Sequence, residues 1–240
     1  MYDLARFSLS DMTRFGAQLR RLGEGASSME DVAGRVVRSF YDELRDPAGE
    51  PCCALVRLFV TVPFGQLSGE QQSFARKLVP ELDTQPRVKC LTLLASAGQE
   101  QRWNSRTTSA GHQALPLTSE ESVGRSPMIA QLMRQLGVDL GHLLAGDTSL
   151  VVDAGQHSFN VFYVPRAAGS PHIPAQDEFV IPYSVQSVLG FGGLVPPGEL
   201  FAMILFTRTP VPRNVADLFK TLALNIKVAL LPFAETRVFS

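Results

Sequence analysis

The part of the chain with the most varied chemistry runs from Trp103 to His112 (WNSRTTSAGH). It holds the single tryptophan of the chain, an asparagine, an arginine, four hydroxyl side chains and a histidine, and it lies between two strongly apolar segments. One large aromatic ring among several directional hydrogen-bonding groups is typical of a concave ligand pocket. The same composition fits a solvent-facing loop whose tryptophan covers the edge of the core. The sequence leaves both interpretations open.

A second stretch of aromatic and polar residues, from Ser170 to Tyr183, is a candidate for the opposite wall of such a pocket, although its prolines fit a rigid scaffold equally well. Arg106 is the natural partner for a carboxylate or phosphate of a ligand, because its planar guanidinium donates hydrogen bonds as a fork. The predicted ligand-binding residues are Trp103, Asn104, Arg106, Ser109 and His112, with His172 and Tyr183 opposite them.

Known catalytic motifs are absent from the sequence. It contains no G-x-S-x-G, Walker A, H-E-x-x-H or C-x-x-C pattern. The glycines between Gly190 and Gly193 lie inside a predicted strand that leads into a hairpin turn, whereas a phosphate-binding loop needs a helix directly after its glycines. Their small size is better suited to letting a helix or a ligand pack close to the sheet. We therefore predict no catalytic residues and no enzymatic activity.

Cysteine and histidine are too sparse to predict a metal site or a disulfide framework. Cys90 lies in an apolar strand, and the adjacent Cys52 and Cys53 would be redox-active only if they were exposed. No two of the four histidines have helical i, i+4 spacing, so no metal is predicted and the cofactor stays unknown. The few cysteines and the lack of an export signal favour a cytoplasmic protein.

The charge balance and the hydropathy argue against nucleic acid and membranes as partners. The 240 residues include 22 basic and 23 acidic side chains, which gives a net charge of −1 and no electrostatic signature for nucleic acid or an anionic membrane. The longest apolar runs, such as Leu200 to Phe206, are far shorter than the ~20 residues that span a bilayer. A soluble domain that binds a small molecule fits this balance.

The N-terminal elements are predicted to be helical. An apolar stripe indicates a helix from Ser10 to Leu22, and residues 1–26 are interpreted as a helical extension. Ser27 and Glu30 have the spacing of a capping box for a second helix, which ends before Asp46. A single domain is predicted over residues 27–232, with a polar insert near 98–113 and a tail at 233–240.

Strands and further helices follow. Apolar, β-branched runs predict strands at 53–62, 88–95, 150–153, 159–164, 187–195 and 200–207. The first of these strands is expected to be buried on both faces except at Arg57 and Thr61. Helices are predicted at 68–79, from Ser126 (as N-cap) to Gly137, and over Val215–Leu230, where Pro232 ends the last helix. The turn Pro196–Glu199 makes the last two strands a hairpin. The order of elements indicates an α+β fold on a mostly antiparallel sheet of about six strands.

The C-terminal third resembles GAF domains. Phe179 to Val195 (FVIPYSVQSVLGFGGLV) is similar to the family's short helix leading into a Ser-Val-Leu strand. Gly198 to Leu205 is similar to its G-E-L-x-G-x-L strand, and Leu218 to Leu230 to its closing helix. Ser28 to Leu44 resembles the family's first helix. The chain as a whole resembles GAF-like input modules that precede PAS and histidine-kinase regions in bacterial signalling proteins.

The resemblance implies a six-stranded antiparallel sheet with the N- and C-terminal helices on one face and a pocket for a regulatory ligand on the other. It also implies a homodimer formed through the first and last helices. The family's Cys-His pair for bilin attachment and its cyclic-nucleotide signature are missing, and Pro232 interrupts the helix that usually continues towards an output domain. A stand-alone sensor and a piece of a longer protein both fit this pattern.

The predicted function is thus a non-catalytic, small-molecule-sensing input domain that dimerises and regulates an output such as a histidine kinase. One alternative is a GAF-fold, thiol-dependent reductase of a small substrate such as free methionine sulfoxide, although the family's cysteine motifs do not align with Cys52, Cys53 or Cys90. Another is a ligand-free dimerisation or docking domain.

Overall fold

The protein is described from a computed structural model that covers residues 1–109, 111, 113–124, 126–137, 141, 160–235 and 238–240. The predicted strand at 150–153 and the residues His112, His142 and His157 lie outside the described residues.

The strands are β1 (Tyr2–Asp3), β2 (Leu44–Arg45), β3 (Cys53–Pro63), β4 (Lys89–Gly98), β5 (Ala114–Pro116), β6 (Phe162–Val164), β7 (Ser187–Val195) and β8 (Glu199–Thr207). β1 and β2 form a short parallel pair, which the sequence analysis did not predict. The other six strands form one antiparallel sheet in the order β5-β4-β3-β8-β7-β6. The predicted α+β fold with about six antiparallel strands is confirmed.

The helices are α1 (Leu9–Arg20), α2 (Met29–Glu43), α3 (Gly69–Leu78), α4 (Glu120–Gly124), α5 (Pro127–Leu136) and α6 (Arg213–Leu230). A short π-helical segment, Gln176–Val180, precedes β7. None of the helices in the described part of the chain is long and apolar enough to cross a membrane.

One face of the sheet carries the terminal helices. α2 packs on β3 and β4, α6 packs on β7, and α1 packs on α6. The alternate strand residues Val56, Leu58 and Val60 face this layer and are buried. The ring of Phe40 from α2 lies 5.8 Å from that of Phe191 in β7. This side, which we call the helical face, confirms the predicted packing of N- and C-terminal helices on one side of the sheet.

The opposite side of the sheet, which we call the second face, supports a separate apolar core. Leu55 and Phe59 of β3 and Ile204 of β8 point to this side, where they join side chains of α5 and of the segment 160–186. A Cβ atom on Gly190 would lie 2.8 Å from Cδ1 of Leu132, so glycine at this position lets α5 approach the sheet closely. The prediction that small residues in β7 admit a neighbouring element is confirmed here.

Three local predictions need correction. The N-cap of α2 is Ser28, whose hydroxyl accepts a hydrogen bond from the Asp31 N–H at 3.1 Å, while the Asp31 carboxylate accepts the Ser27 N–H, so the predicted capping box of Ser27 and Glu30 is not formed. Thr61 was expected to break the buried pattern of β3, yet it is 1% exposed, because its hydroxyl accepts the Leu200 N–H. Ser126 precedes α5 but makes no side-chain capping hydrogen bond.

Candidate functional site

The predicted polar insert forms a loop along the free part of the β4 edge, and we call residues 99–113 the edge loop. The Gln99 N–H donates to the Ala54 carbonyl at 3.1 Å, and the Leu93 N–H donates to the Gln113 carbonyl at 2.9 Å, so both ends of the loop are fixed to the sheet. Between these ends the loop contacts both faces of the sheet.

Asn104 closes the first turn of the edge loop. Its Oδ1 accepts the Gly98 N–H at 3.0 Å, and its Nδ2 donates to the Gly98 and Glu100 carbonyls, each at 3.0 Å. Arg38 of α2 also donates to Asn104 Oδ1, at 2.9 Å. These four bonds show Asn104 positioning the loop rather than presenting its amide to a pocket.

Trp103 enters the second face and is only 8% exposed. The centroid of its ring lies 4.7 Å from that of Tyr183 and 5.5 Å from that of Phe179. Phe179 in turn meets Phe206 of β8 edge to face at 5.1 Å. The structure therefore brings together Trp103 and Tyr183, two of the predicted site residues on opposite stretches of the chain. We call these four rings the aromatic cluster.

Phe179 and Phe206 were not among the predicted site residues. The alternation of apolar side chains along β8 could have placed Phe206 on one face, but only the strand order brings that face under the edge loop. Phe179 and Tyr183 are half-buried, so the aromatic cluster has a solvent-accessible side.

Next to the aromatic cluster, a cationic side chain lies on the second face. Arg57 stands between Leu55 and Phe59 on β3, and its Nη2 donates to Ser109 Oγ at 2.7 Å. Ser109, a predicted site residue, is 0% exposed. Desolvation lowers the pKa of the Arg57 guanidinium to about 10, because burial disfavours the charged form.

Ser96 lies directly across from Arg57. The two residues are register partners on β4 and β3, so their side chains share one face of the sheet. Ser96 is 5% exposed, and its hydroxyl has no hydrogen-bond partner among the described residues. Sequence reasoning missed Ser96, and it noted Arg57 only as a polar break in an apolar strand, which was the available signal.

Arg106 is placed differently from Trp103 and Ser109. Its Nε donates to Glu30 Oε1 at 2.5 Å, at the start of α2, and its guanidinium lies 5.1 Å from the ring centroid of Phe239. Both partners belong to the helical side of the molecule. Arg106 therefore links the edge loop to α2 through its ion pair with Glu30, and to the C-terminal residues through its contact with Phe239.

His172 lies in the turn before the π-helical segment, where its backbone N–H donates to Ser170 Oγ at 3.3 Å. Among the described residues, no hydrogen bond joins its imidazole to the aromatic cluster or to Arg57.

The described residues offer little for redox or metal chemistry. All three cysteines are unpaired thiols in the core. Burial raises the pKa of Cys52 and of Cys53, and it raises that of Cys90 to about 12. Within the ranges that the structure describes, no three His, Cys, Asp or Glu side chains are grouped to hold a metal ion.

A second polar cluster lies at the far end of β3. Glu199 forms an ion pair with Lys89 at 3.1 Å and accepts a hydrogen bond from Thr61. A cleft of about 390 Å³ opens beside it, and its lining includes Gln66 and Glu235. Because Lys89 and Thr61 already occupy the Glu199 carboxylate, this cleft is the weaker candidate for a binding site.

Comparison with known proteins gives no family. No family model matches the sequence, and no curated protein matches it. Among solved structures, the chain is similar to an N-acylhomoserine lactone-dependent LuxR-family transcriptional factor, CepR2 from Burkholderia cenocepacia. The sequence identity is 8%, the TM-score is 0.39, and the alignment covers 95% of this chain and 97% of that chain. A TM-score this low does not assign the chain to that family.

Proposed function

We propose that the protein is a non-catalytic, GAF-like sensing domain that binds a small molecule on the second face of its sheet. The observation that carries this proposal is the edge loop. Its Trp103 completes the aromatic cluster, and its Ser109 accepts a hydrogen bond from the buried Arg57. A largely apolar site with a few directed polar groups is the usual composition of a ligand pocket. The resemblance of β7, β8 and α6 to GAF domains supports the same location.

The buried cysteines favour this function over a thiol-dependent reductase. A cysteine nucleophile reacts as its thiolate and needs an exposed, electropositive surrounding that lowers its pKa. Cys52, Cys53 and Cys90 are all 1% exposed or less, and burial raises the pKa of each. No sulfur of these residues is therefore poised for attack at neutral pH.

The edge loop supplies a route from the ligand to the terminal helices. Trp103 and Ser109 face the proposed site, whereas Arg106 binds Glu30 of α2. Glu30 Oε2 in turn accepts the Ser240 N–H at 3.0 Å, and the Glu30 N–H donates to the Val238 carbonyl at 2.9 Å. A ligand that binds better to one position of the loop will shift this set of contacts towards that position.

The outer face of α6 supports dimerisation. Leu224 and Val228 of α6, and Leu231 directly after it, recur at helical spacing and are 56%, 41% and 40% exposed. Residues at this spacing lie on one face of a helix, and the same face of a second copy, related by a twofold axis, can bury them. We infer a homodimer that packs through α6, with a signalling domain such as a histidine kinase as its output.

Native mass spectrometry and thermal-shift screening of the full chain test the proposal. We expect either a bound small molecule of stoichiometric mass or a metabolite that raises the melting temperature in a saturable manner. The variant Trp103→Ala should lose that response, and Ser73→Ala, an exposed substitution on α3, should keep it. A dimer that takes up no compound from a broad metabolite library would instead support the docking-domain alternative.

A further inference from the structure

The start of the edge loop, the end of α2 and the end of β8 meet at one place on the surface. The Arg208 N–H donates to the Cys52 carbonyl at 2.7 Å, which fixes the residue after β8 beside the start of β3. The Arg208 guanidinium donates to Gln99 Oε1. The guanidinium of Arg38, from α2, donates to Asn104 Oδ1 at 2.9 Å. Both arginines therefore lie beside the first turn of the edge loop.

Tyr41 of α2 lies close to both of these arginines. The Arg38 guanidinium is 5.9 Å from the centroid of its ring. Desolvation raises the pKa of Tyr41, and three nearby positive charges oppose that rise. They belong, in decreasing order of effect, to Arg208, Arg38 and Arg45. We call Arg38, Tyr41 and Arg208 the arginine patch.

The two arginines of the patch have hydrogen-bond donors to spare. In the part of the chain that the structure describes, each donates to the oxygen of a neutral side-chain amide, and neither forms an ion pair with a carboxylate. Arg45 differs, because the Asp42 carboxylate lies 3.9 Å from its Nη2. A guanidinium carries five N–H donors in a planar fork that matches a carboxylate. Arg38 is exposed and Arg208 is half-buried, so both are within reach of a partner.

We propose that the arginine patch docks an acidic segment, rich in Asp and Glu, of a partner protein. The net charge of the chain is −1, so the positive charge of the patch is local and complementary charge on a partner would act at this surface. Carboxylates carried on one segment can reach both arginines. Because Arg38 and Arg208 also bind Asn104 and Gln99, a partner docked here would contact the side chains that hold the start of the edge loop.

A fluorescently labelled octaglutamate peptide tests the proposal on the full chain, with no other ligand present. Fluorescence anisotropy measures its binding, with octaglutamine as the neutral control and octalysine as the control of opposite charge. We expect saturable binding of octaglutamate alone. Raising the sodium chloride concentration from about 50 mM to about 500 mM should weaken this binding by at least about fivefold, because salt screens charges at a surface.

Variants locate the binding. Exposed ion pairs are individually weak, so Arg38→Gln and Arg208→Gln should each weaken octaglutamate binding by about two- to fivefold, and the double variant by about tenfold. Arg14→Gln, which removes an exposed arginine of α1, is the matched control and should bind like the wild type. Arg38→Lys and Arg208→Lys keep the charge and should bind within about twofold of the wild type. If circular dichroism shows that a glutamine variant is misfolded, the lysine variants and the salt dependence decide the outcome.

Several results would overturn the proposal. They are an absence of saturable octaglutamate binding at low salt, equal binding of octaglutamine, and an equal loss of binding in Arg14→Gln and in the patch variants. Displacement of the peptide by inorganic phosphate, at an ionic strength at which sodium chloride leaves it bound, would indicate a phosphate site and would also overturn the acidic-segment assignment. None of these outcomes bears on the sensing function, which the metabolite screen tests separately.

Discussion

Burial sets the chemistry of the individual ionisable side chains in this protein. Cys53 and Cys90 are fully enclosed by apolar residues and stay protonated, although a cysteine pair and a third thiol look reactive in the sequence. Burial lowers the pKa of Arg57 instead, because the charged form that it disfavours is the protonated one. Residue type alone does not reveal these shifts, since each depends on which neighbours exclude water.

Cys90 gives a pH-dependent prediction. Its pKa is raised from about 9.0 to about 12, so the folded state holds this proton more tightly than the unfolded state does. The resulting stabilisation is complete below pH 9 and is lost as the pH rises from 9 towards 12, by up to about 1.4 kcal/mol per pH unit. Urea unfolding should show the wild type losing stability relative to Cys90→Ala across this window.

The control for this effect is Val62→Ala, because Val62 is the β3 register partner of Cys90 and is equally buried but does not titrate. Its stability difference from the wild type should not change with pH. A Cys90→Ala difference that is also constant above pH 9 would contradict the raised pKa.

Asn104 tests how a single polar side chain holds the edge loop. Asn104→Ala removes four hydrogen bonds and leaves the Gly98 N–H without its acceptor. We expect a loss of about 1–3 kcal/mol in the free energy of unfolding, measured by urea titration of Trp103 fluorescence. Asn214→Ala, at an exposed position of α6, should change stability by less than about 0.5 kcal/mol. Similar values for the two variants would show that Asn104 does not position the loop.

At the scale of elements, alternation along the strands separates the two cores. Even-numbered residues from Val56 to Val62 face the terminal helices, while Leu55, Arg57 and Phe59 face α5 and the aromatic cluster. The pairing register between β3 and β4 shifts between Leu58 and Phe59. The hairpin of β7 and β8 was predictable because its turn and both strands are adjacent in the chain. The placement of β3 between β4 and β8 was not predictable, because it joins strands far apart in sequence.

Gly192 tests the close contact within the β7–β8 hairpin. A Cβ atom at this position would collide with the backbone carbonyl oxygen of Phe201, which cannot move without disturbing the strand pairing. Gly192→Ala should therefore destabilise the protein by about 1–3 kcal/mol in urea unfolding.

The matched substitution is Gly34→Ala in α2, where an added Cβ meets no atom within 4 Å. Alanine favours a helix, so this variant should be neutral or more stable by up to about 1 kcal/mol. Equal effects of the two substitutions would show that the Phe201 carbonyl imposes no constraint.

At the scale of the whole molecule, the edge loop connects the two faces of the sheet. Arg106→Met should release Glu30 from the loop while leaving the Trp103 contacts intact. We expect the Glu30 amide, which donates to Val238, to exchange hydrogen about fivefold faster, as a loss of about 1 kcal/mol would produce. Hydrogen–deuterium exchange measures this, and Arg14→Met should leave the same amide unchanged. Unaltered exchange in Arg106→Met would remove Arg106 from the proposed route.

The exposed stripe on α6 gives a prediction about assembly. The double variant Leu224→Glu, Val228→Glu places two like charges where two copies would meet, so it should be monomeric in analytical ultracentrifugation while the wild type is dimeric. Leu78→Glu changes a similarly exposed leucine on α3 and should stay dimeric. A monomeric wild type, or a dimer that survives the double variant, would exclude this interface.

The sequence by itself determined the elements and the class of fold. Apolar periodicity and turn residues predicted α1, α2, α3, α5, α6 and the strands β3, β4, β6, β7 and β8, because these signals act over a few neighbouring residues, whereas the short β5 was not predicted as a strand. The sequence also identified Trp103, Ser109 and Tyr183 as residues worth attention. Only the tertiary structure decided that Arg106 pairs with Glu30 and that Arg57 lies beside Ser96 and Ser109. Those contacts depend on strand order and on which side chains lose their water, and neither is encoded locally.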